Sequence, residues 1–258
     1  MMKSRKLVIL VLVVILAFSF LACSVNSLPN PFATQTPTPT VIALPTAIPV
    51  PFSTPIPALA GLVIEVSSDN TTRFTDRENN LTMLFPPTWM VLLPDPDQID
   101  QAAEEIANEN PDLAAVLGGF RYAGDYDFCC VAFDLDPDHN SPGFPTSVNI
   151  IAEETPAGFS LGEMIERIAQ LLVQQNPDTE VMDSGTRETA NNLEIGFIDL
   201  TMPSQTISGE NILAFMQQVY FQIGDKTIIV TLTIAEEVTE PALTEFEGVV
   251  ESIELLEP

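Results

Sequence analysis

Gly158-Phe159-Ser160-Leu161-Gly162 has the G-x-S-x-G spacing in which a serine can serve as a nucleophile, and it falls between an expected strand and an expected helix. A hydrolase elbow needs a histidine to take the serine proton, normally downstream, and a sharp strand-to-helix turn. The only histidine, His139, lies upstream, and Thr155-Pro156-Ala157 separates the strand from the motif. Ser160 with Glu163 three residues later reads instead as a capping box at a helix start. Asp134, Asp136 and Asp138 place carboxylates at alternate positions, like the opening of a calcium loop, and oxygen-rich loops suit hard cations. An EF-hand would then need Gly at position six and Glu at position twelve, where this chain has His139 and Pro145. These three aspartates are therefore candidate cation ligands within an otherwise solvated acidic loop. Trp89, Phe85 and Phe120-Arg121-Tyr122 are candidates to line a groove, against the commoner role of aromatics in a core.

Cys129 and Cys130 are adjacent near the start of an expected strand. Strand alternation would send them to opposite faces, one buried and one partly exposed. A strained vicinal disulfide and an intermolecular link are the other readings. With one histidine and no second cysteine pair, a multi-His or zinc-finger type of centre is excluded. No cofactor is implied.

The charge balance narrows the partners. The 258 residues carry 9 Lys and Arg against 36 Asp and Glu, a net charge of −27. Three of the bases, Lys3, Arg5 and Lys6, sit at the extreme N-terminus, and no acid precedes Glu65. Without the leader, six bases face 36 acids, a net of −30. Nucleic-acid affinity comes largely from cations neutralising phosphates, so nucleic acid is excluded as a partner.

The leader has three zones: basic residues 1–6, residues 7–21 with only Ser19 polar, then Ala22-Cys23. That is the layout of an export signal. Fifteen apolar residues are short for a span, which prefers about 20. Phe20-Leu21-Ala22-Cys23 resembles the lipobox of bacterial lipoproteins, although Phe20 replaces the usual Leu and Leu21 is bulkier than the usual small residue. The resemblance implies that Cys23 receives a diacylglycerol and becomes the mature N-terminus. The membrane is then a partner through the lipid, on the extracytoplasmic side. A secreted product cut near Cys23 and an uncleaved anchor are the alternatives. Residues 24–64 hold no charge, and nine prolines fall between Pro29 and Pro57. Proline removes an amide donor and fixes φ, so neither helix nor sheet propagates here. At about 3.1 Å per residue, roughly thirty such residues reach about 90 Å. The expected organisation is a signal peptide over 1–22, a Pro/Thr-rich tether over 23–61 and one globular domain over 62–258.

Within that domain, residues 212–223 and 226–234 flank Gly224-Asp225 as a hairpin. Counting outward pairs Phe221 with Ile228, Val219 with Val230, Gln217 with Leu232 and Phe215 with Ile234. Further strands are expected over 62–66, 72–76, 81–85, 130–135, 147–153, 180–183, 186–189 and 194–201. Apolar residues at three- and four-residue steps predict helices over 161–172, 98–108 and 243–253, with a short turn at 112–117. Strands in neighbouring runs with inserted helices predict an α+β fold, a mostly antiparallel β-sheet flanked by helices.

Glu78-Asn79-Asn80-Leu81-Thr82-Met83-Leu84-Phe85-Pro86-Pro87-Thr88-Trp89 resembles the opening of PsbP-like (Mog1/PsbP) domains, with Phe85 where the family has Tyr and Thr88 where it has Gly. The element order over about residues 72–255 is similar too. The resemblance implies an α/β/α sandwich and an accessory or binding protein without shared catalytic residues. Export and anchoring make a protein of the cell envelope a candidate partner.

Overall fold

The computed structural model describes residues 61–120, 128–156 and 158–256. The expected leader, the expected tether up to residue 60, and Arg121 and Tyr122 lie outside the described residues. The strands are β1 (Leu62–Val66), β2 (Thr72–Asp76), β3 (Leu81–Phe85), β4 (Trp89–Leu92), β5 (Phe128–Asp134), β6 (Ser147–Glu154), β7 (Glu180–Glu188), β8 (Glu194–Gln205), β9 (Asn211–Ile223), β10 (Lys226–Ala235) and β11 (Glu254–Leu255). The helices are α1 (Pro96–Ile106), α2 (Pro111–Phe120), α3 (Leu161–Gln175) and α4 (Thr239–Glu251).

A seven-stranded sheet runs β4-β5-β6-β10-β9-β8-β7, and a four-stranded sheet runs β1-β2-β3-β11. All described pairings are antiparallel. The β9–β10 hairpin has the four pairs expected from the alternation of apolar residues. Gly224 at its turn has φ +62°, a conformation open to glycine because it lacks a Cβ.

Neighbouring residues on a strand face opposite ways, and this sorts the core into two sides. On one side Val219, Phe221, Val230 and Ile234 pack against Phe74, Met83 and Phe85 of the small sheet and Phe246 and Val250 of α4. On the other, Tyr220, Ile229 and Leu200 meet Leu161, Met164 and Ile165 of α3. Farther along that same side, Met90, Val131 and Phe133 meet Ile99 of α1 and Leu113 and Leu117 of α2. Helices therefore cover one face, while the small sheet and α4 cover the other. Fully burying each such aliphatic or aromatic side chain stabilises by about 1.5–3 kcal/mol. Helix α3 begins with the expected capping box: Ser160 accepts from the Glu163 amide, and Glu163 accepts from the Ser160 amide. It comes close to β8 at Gly196, where an added Cβ would lie 2.4 Å from Ile165 Cγ1.

Three expectations change in detail. The short turn at 112–117 is part of the ten-residue α2. Residues 180–183 and 186–188 belong to one strand, β7, with a register shift between Val181 and Asp183, and residue 189 lies just past its end. Cys129 and Cys130 do not take opposite faces. A register shift between Phe128 and Cys130 leaves Cys129 as an extra residue, so both thiols enter the same core cluster, and both are free and buried. A bulge of this kind resets the alternation by one residue.

Candidate functional site

The site forms where β5 ends. Cys130, Ala132 and Asp134 point toward the α4 side, and the last of them is a carboxylate with 0% exposure. The chain then doubles back. Asp136 accepts from the Asp138 amide at 2.9 Å and caps a 3-10 turn, Pro137–His139. Asn140 Nδ2 donates to the carbonyls of Asp134 (2.9 Å) and Asp136 (2.6 Å), and its Oδ1 accepts from the Thr146 amide at 2.7 Å. This closure brings His139 back over Asp134, with Nδ1 donating to Oδ2 at 2.6 Å.

Helix α4 supplies the third group. Glu245 Oε2 lies 3.8 Å from His139 Nδ1 and accepts from Trp89 Nε1 at 2.8 Å and Thr88 Oγ1 at 3.4 Å. Trp89 is the strand partner of Asp134, so the β4–β5 register aligns the donor to Glu245 with the acceptor to His139. One donor atom each from Asp134, His139 and Glu245 lies within 4.8 Å of the others. Burial pushes the Asp134 carboxyl up, opposed by the Asp136 amide and His139. Burial pulls His139 down, but the bond to Asp134 and the charges of Asp134, Asp136 and Glu245 outweigh it and hold the imidazole above its usual range. The result is an imidazole clasped between two carboxylates that ties the turn after β5 to α4.

The three alternating aspartates do not converge. Asp134 faces inward, Asp136 is a turn cap, and Asp138 is exposed. His139 and Glu245, which join Asp134, were not among the expected ligands. His139 is in the same loop and could have been weighed with it. Glu245 sits beside the Ala242/Phe246 core stripe of α4, and only the packing of α4 over β5 brings it there.

Ser160 Oγ donates to Glu163 Oε2 at 2.8 Å. It borders a groove of about 610 Å³ lined by Leu161, Gly162, Thr186, Leu193, Glu194 and Gln222. Because α3 and α4 occupy opposite faces, the central sheet stands between Ser160 and His139. Phe85 and Trp89 are buried core residues with ring centroids 6.2 Å apart, and neither is among the residues lining that groove. A second polar knot joins the two sheets: Asp76 accepts from the amides of Glu78 and Asn79 at 2.9 and 3.0 Å, and Lys226 Nζ donates to Asn79 Oδ1 at 2.7 Å. Among the described residues, no helix is long and apolar enough to cross a membrane.

No family model matches the chain, and a search of curated proteins finds no relative. Solved structures are similar in fold. Cyanobacterial PsbP (CyanoP) from Synechocystis is 12% identical with a TM-score of 0.45, over 74% of this chain and 95% of that one. LpqN of Mycobacterium tuberculosis, described as involved in cell envelope biogenesis, is 8% identical with a TM-score of 0.42, over 76% and 91%. The Ran-binding protein Mog1p of Saccharomyces cerevisiae is 11% identical with a TM-score of 0.40, over 74% and 97%. The fold class is the expected one, α+β with mostly antiparallel sheet.

Proposed function

We propose that this chain is a lipid-anchored binding or accessory protein on the extracytoplasmic side of a cell membrane, without catalytic activity of its own. One observation carries the reading: the order of basic residues 1–6, apolar residues 7–21, Ala22-Cys23 and a charge-free, proline-rich segment ahead of the folded unit. Residues 1–22 act as the signal, Cys23 carries the lipid, residues 23–61 form the tether, and 62–258 form the domain. Two acyl chains anchor stably where one does not. A domain of this charge is repelled by an anionic surface, and the repulsion fades over about 8 Å at physiological salt. A tether of tens of ångströms holds the domain beyond that range. Its partner is a protein of the envelope rather than nucleic acid.

The test is metabolic labelling with a clickable fatty acid. Wild type takes label and fractionates with membrane, and Cys23→Ala does neither. Label retained by Cys23→Ala removes the anchor. Crosslinking of the intact anchored protein in cells then identifies the partner, and recovery of the chain inside the cytoplasm with its leader intact removes the proposal.

A further inference from the structure

The geometry points to a divalent-metal site formed by Asp134, His139 and Glu245, suited to an ion of the zinc or cobalt type that accepts a nitrogen ligand. The proposal is independent of the anchoring.

Three features carry it. The first is the donor set. Asp134 Oδ2, His139 Nδ1 and Glu245 Oε2 come from a strand end, a turn and a helix, yet all lie within 4.8 Å of one another. Metal–ligand bonds of about 2.0–2.2 Å place neighbouring donors roughly 3–3.5 Å apart. The observed separations of 2.6 Å from Nδ1 to Asp134 and 3.8 Å from Nδ1 to Glu245 bracket that value. The third side, between the two carboxylates, is at most 4.8 Å, so binding an ion would draw Asp134 and Glu245 together beside the imidazole.

The second is charge. Asp134 is fully buried, and among the described residues His139 is the one basic group beside it and Glu245, with no Lys or Arg on either. Buried charges are normally paired or coordinate a metal. Two carboxylates and a neutral imidazole sum to −2, which a divalent ion cancels and one imidazole proton cancels only by half.

The third is support from outside the triangle. Asp134 Oδ1 accepts from the Asp136 amide at 2.9 Å, and Glu245 Oε2 accepts from Trp89 and Thr88. Such outer bonds fix the orientation of ligating groups. The Glu245 side chain is 28% exposed, so the site opens to solvent on that edge and leaves room for water ligands. The imidazole favours zinc-like ions over calcium, which takes six to eight oxygens. From the imidazolium, the ion replaces the Nδ1 proton, which leaves to solvent while Nε2 keeps its hydrogen, and Nδ1 gives its lone pair to the metal.

The test uses the full-length chain in detergent, stripped of metal and titrated with Co²⁺ and Zn²⁺ near neutral pH. Cobalt should give a saturable visible absorption band at one equivalent. The single tryptophan, Trp89, is bonded to a proposed ligand, so its emission should be quenched in parallel. Zinc should displace cobalt and abolish the band. His139→Ala should weaken zinc binding about 100-fold, Glu245→Gln at least about tenfold, and Asp136→Ala little. Thermal melting of each metal-free variant checks the fold, and Glu245→Gln keeps an oxygen for the Trp89 donor. The proposal is overturned if no saturable cobalt band appears, if folded His139→Ala binds as wild type does, or if calcium binds instead and is lost in Asp136→Ala.

Discussion

Trp89 donates its indole N–H to Glu245 at 2.8 Å, a bond between residues 156 positions apart that joins the first strand of the large sheet to the last helix. Trp89 is buried, so its N–H depends on that acceptor. Replacing Glu245 with Ala should cost about 1–2 kcal/mol of stability, the range for a buried donor losing its partner. Glu245→Gln should retain most of it. Urea unfolding followed by Trp89 emission measures both, and equal stability of the Ala variant and wild type would contradict the assignment.

Gly196 lies against Ile165 of α3 with no room for a side chain. An added methyl would meet Ile165 Cγ1 at 2.4 Å and Cδ1 at 2.6 Å, and Ile165 is itself 1% exposed. Gly196→Ala should destabilise by about 1–3 kcal/mol through overpacking. Adding Ile165→Val should recover part of that loss, so the two changes should be non-additive in chemical denaturation.

Asp199 is raised by burial, with the charges of Asp183 and Glu247 adding to the effect and the Gln217 amide and Arg187 opposing it. Asp183 is its direct partner across the β7–β8 ladder, a like-charge pair. A carboxyl raised in the folded state favours folding when protonated. Its ionisation therefore destabilises the fold as pH rises from the ordinary Asp value, about 3.9, through the higher folded value. Asp199→Asn should raise the melting temperature near neutral pH, and the gain should vanish below the ordinary value. A gain that persists unchanged in acid would refute this origin.

The thiols of Cys129 and Cys130 are both pushed up, first by burial; for Cys129 Asp76 adds to it, and for Cys130 Cys129 does. Thiolate is the reactive form, so both should resist alkylation in the folded protein and react quickly once urea unfolds it. Mass spectrometry after timed iodoacetamide treatment reads this directly. Rapid labelling of the native protein would show that the core opens there.

Much of the architecture was legible because it is local. The β9–β10 register follows from alternation about Gly224-Asp225, and β1, β2 and β3 have the bounds expected from their composition. The start of α3 follows from Ser160 and Glu163 three residues apart. The rest depends on packing. Strand β4 is four residues of continuous apolar character without alternation, and β11 is two residues that pair with β3 only because α4 delivers them there. The bulge at Cys129 adds one residue to a ladder, and nothing in Phe128-Cys129-Cys130-Val131 announces it. Of the site, Asp134 was legible as an acid in a turn. Its association with Glu245 was not, because 111 positions separate them and the meeting rests on how α4 crosses the sheet.

Strand β1 is an outer member of the four-stranded sheet and is hydrogen-bonded there to β2 alone, through five residue pairs from Leu62–Asp76 to Val66–Thr72. The described domain begins with this strand, one residue after Gly61. A mechanical pull on the leader therefore loads the Leu62 end first and peels β1 away pair by pair. The seven-stranded sheet shares none of those ladder bonds, so separating β1 from β2 breaks no rung of the larger sheet.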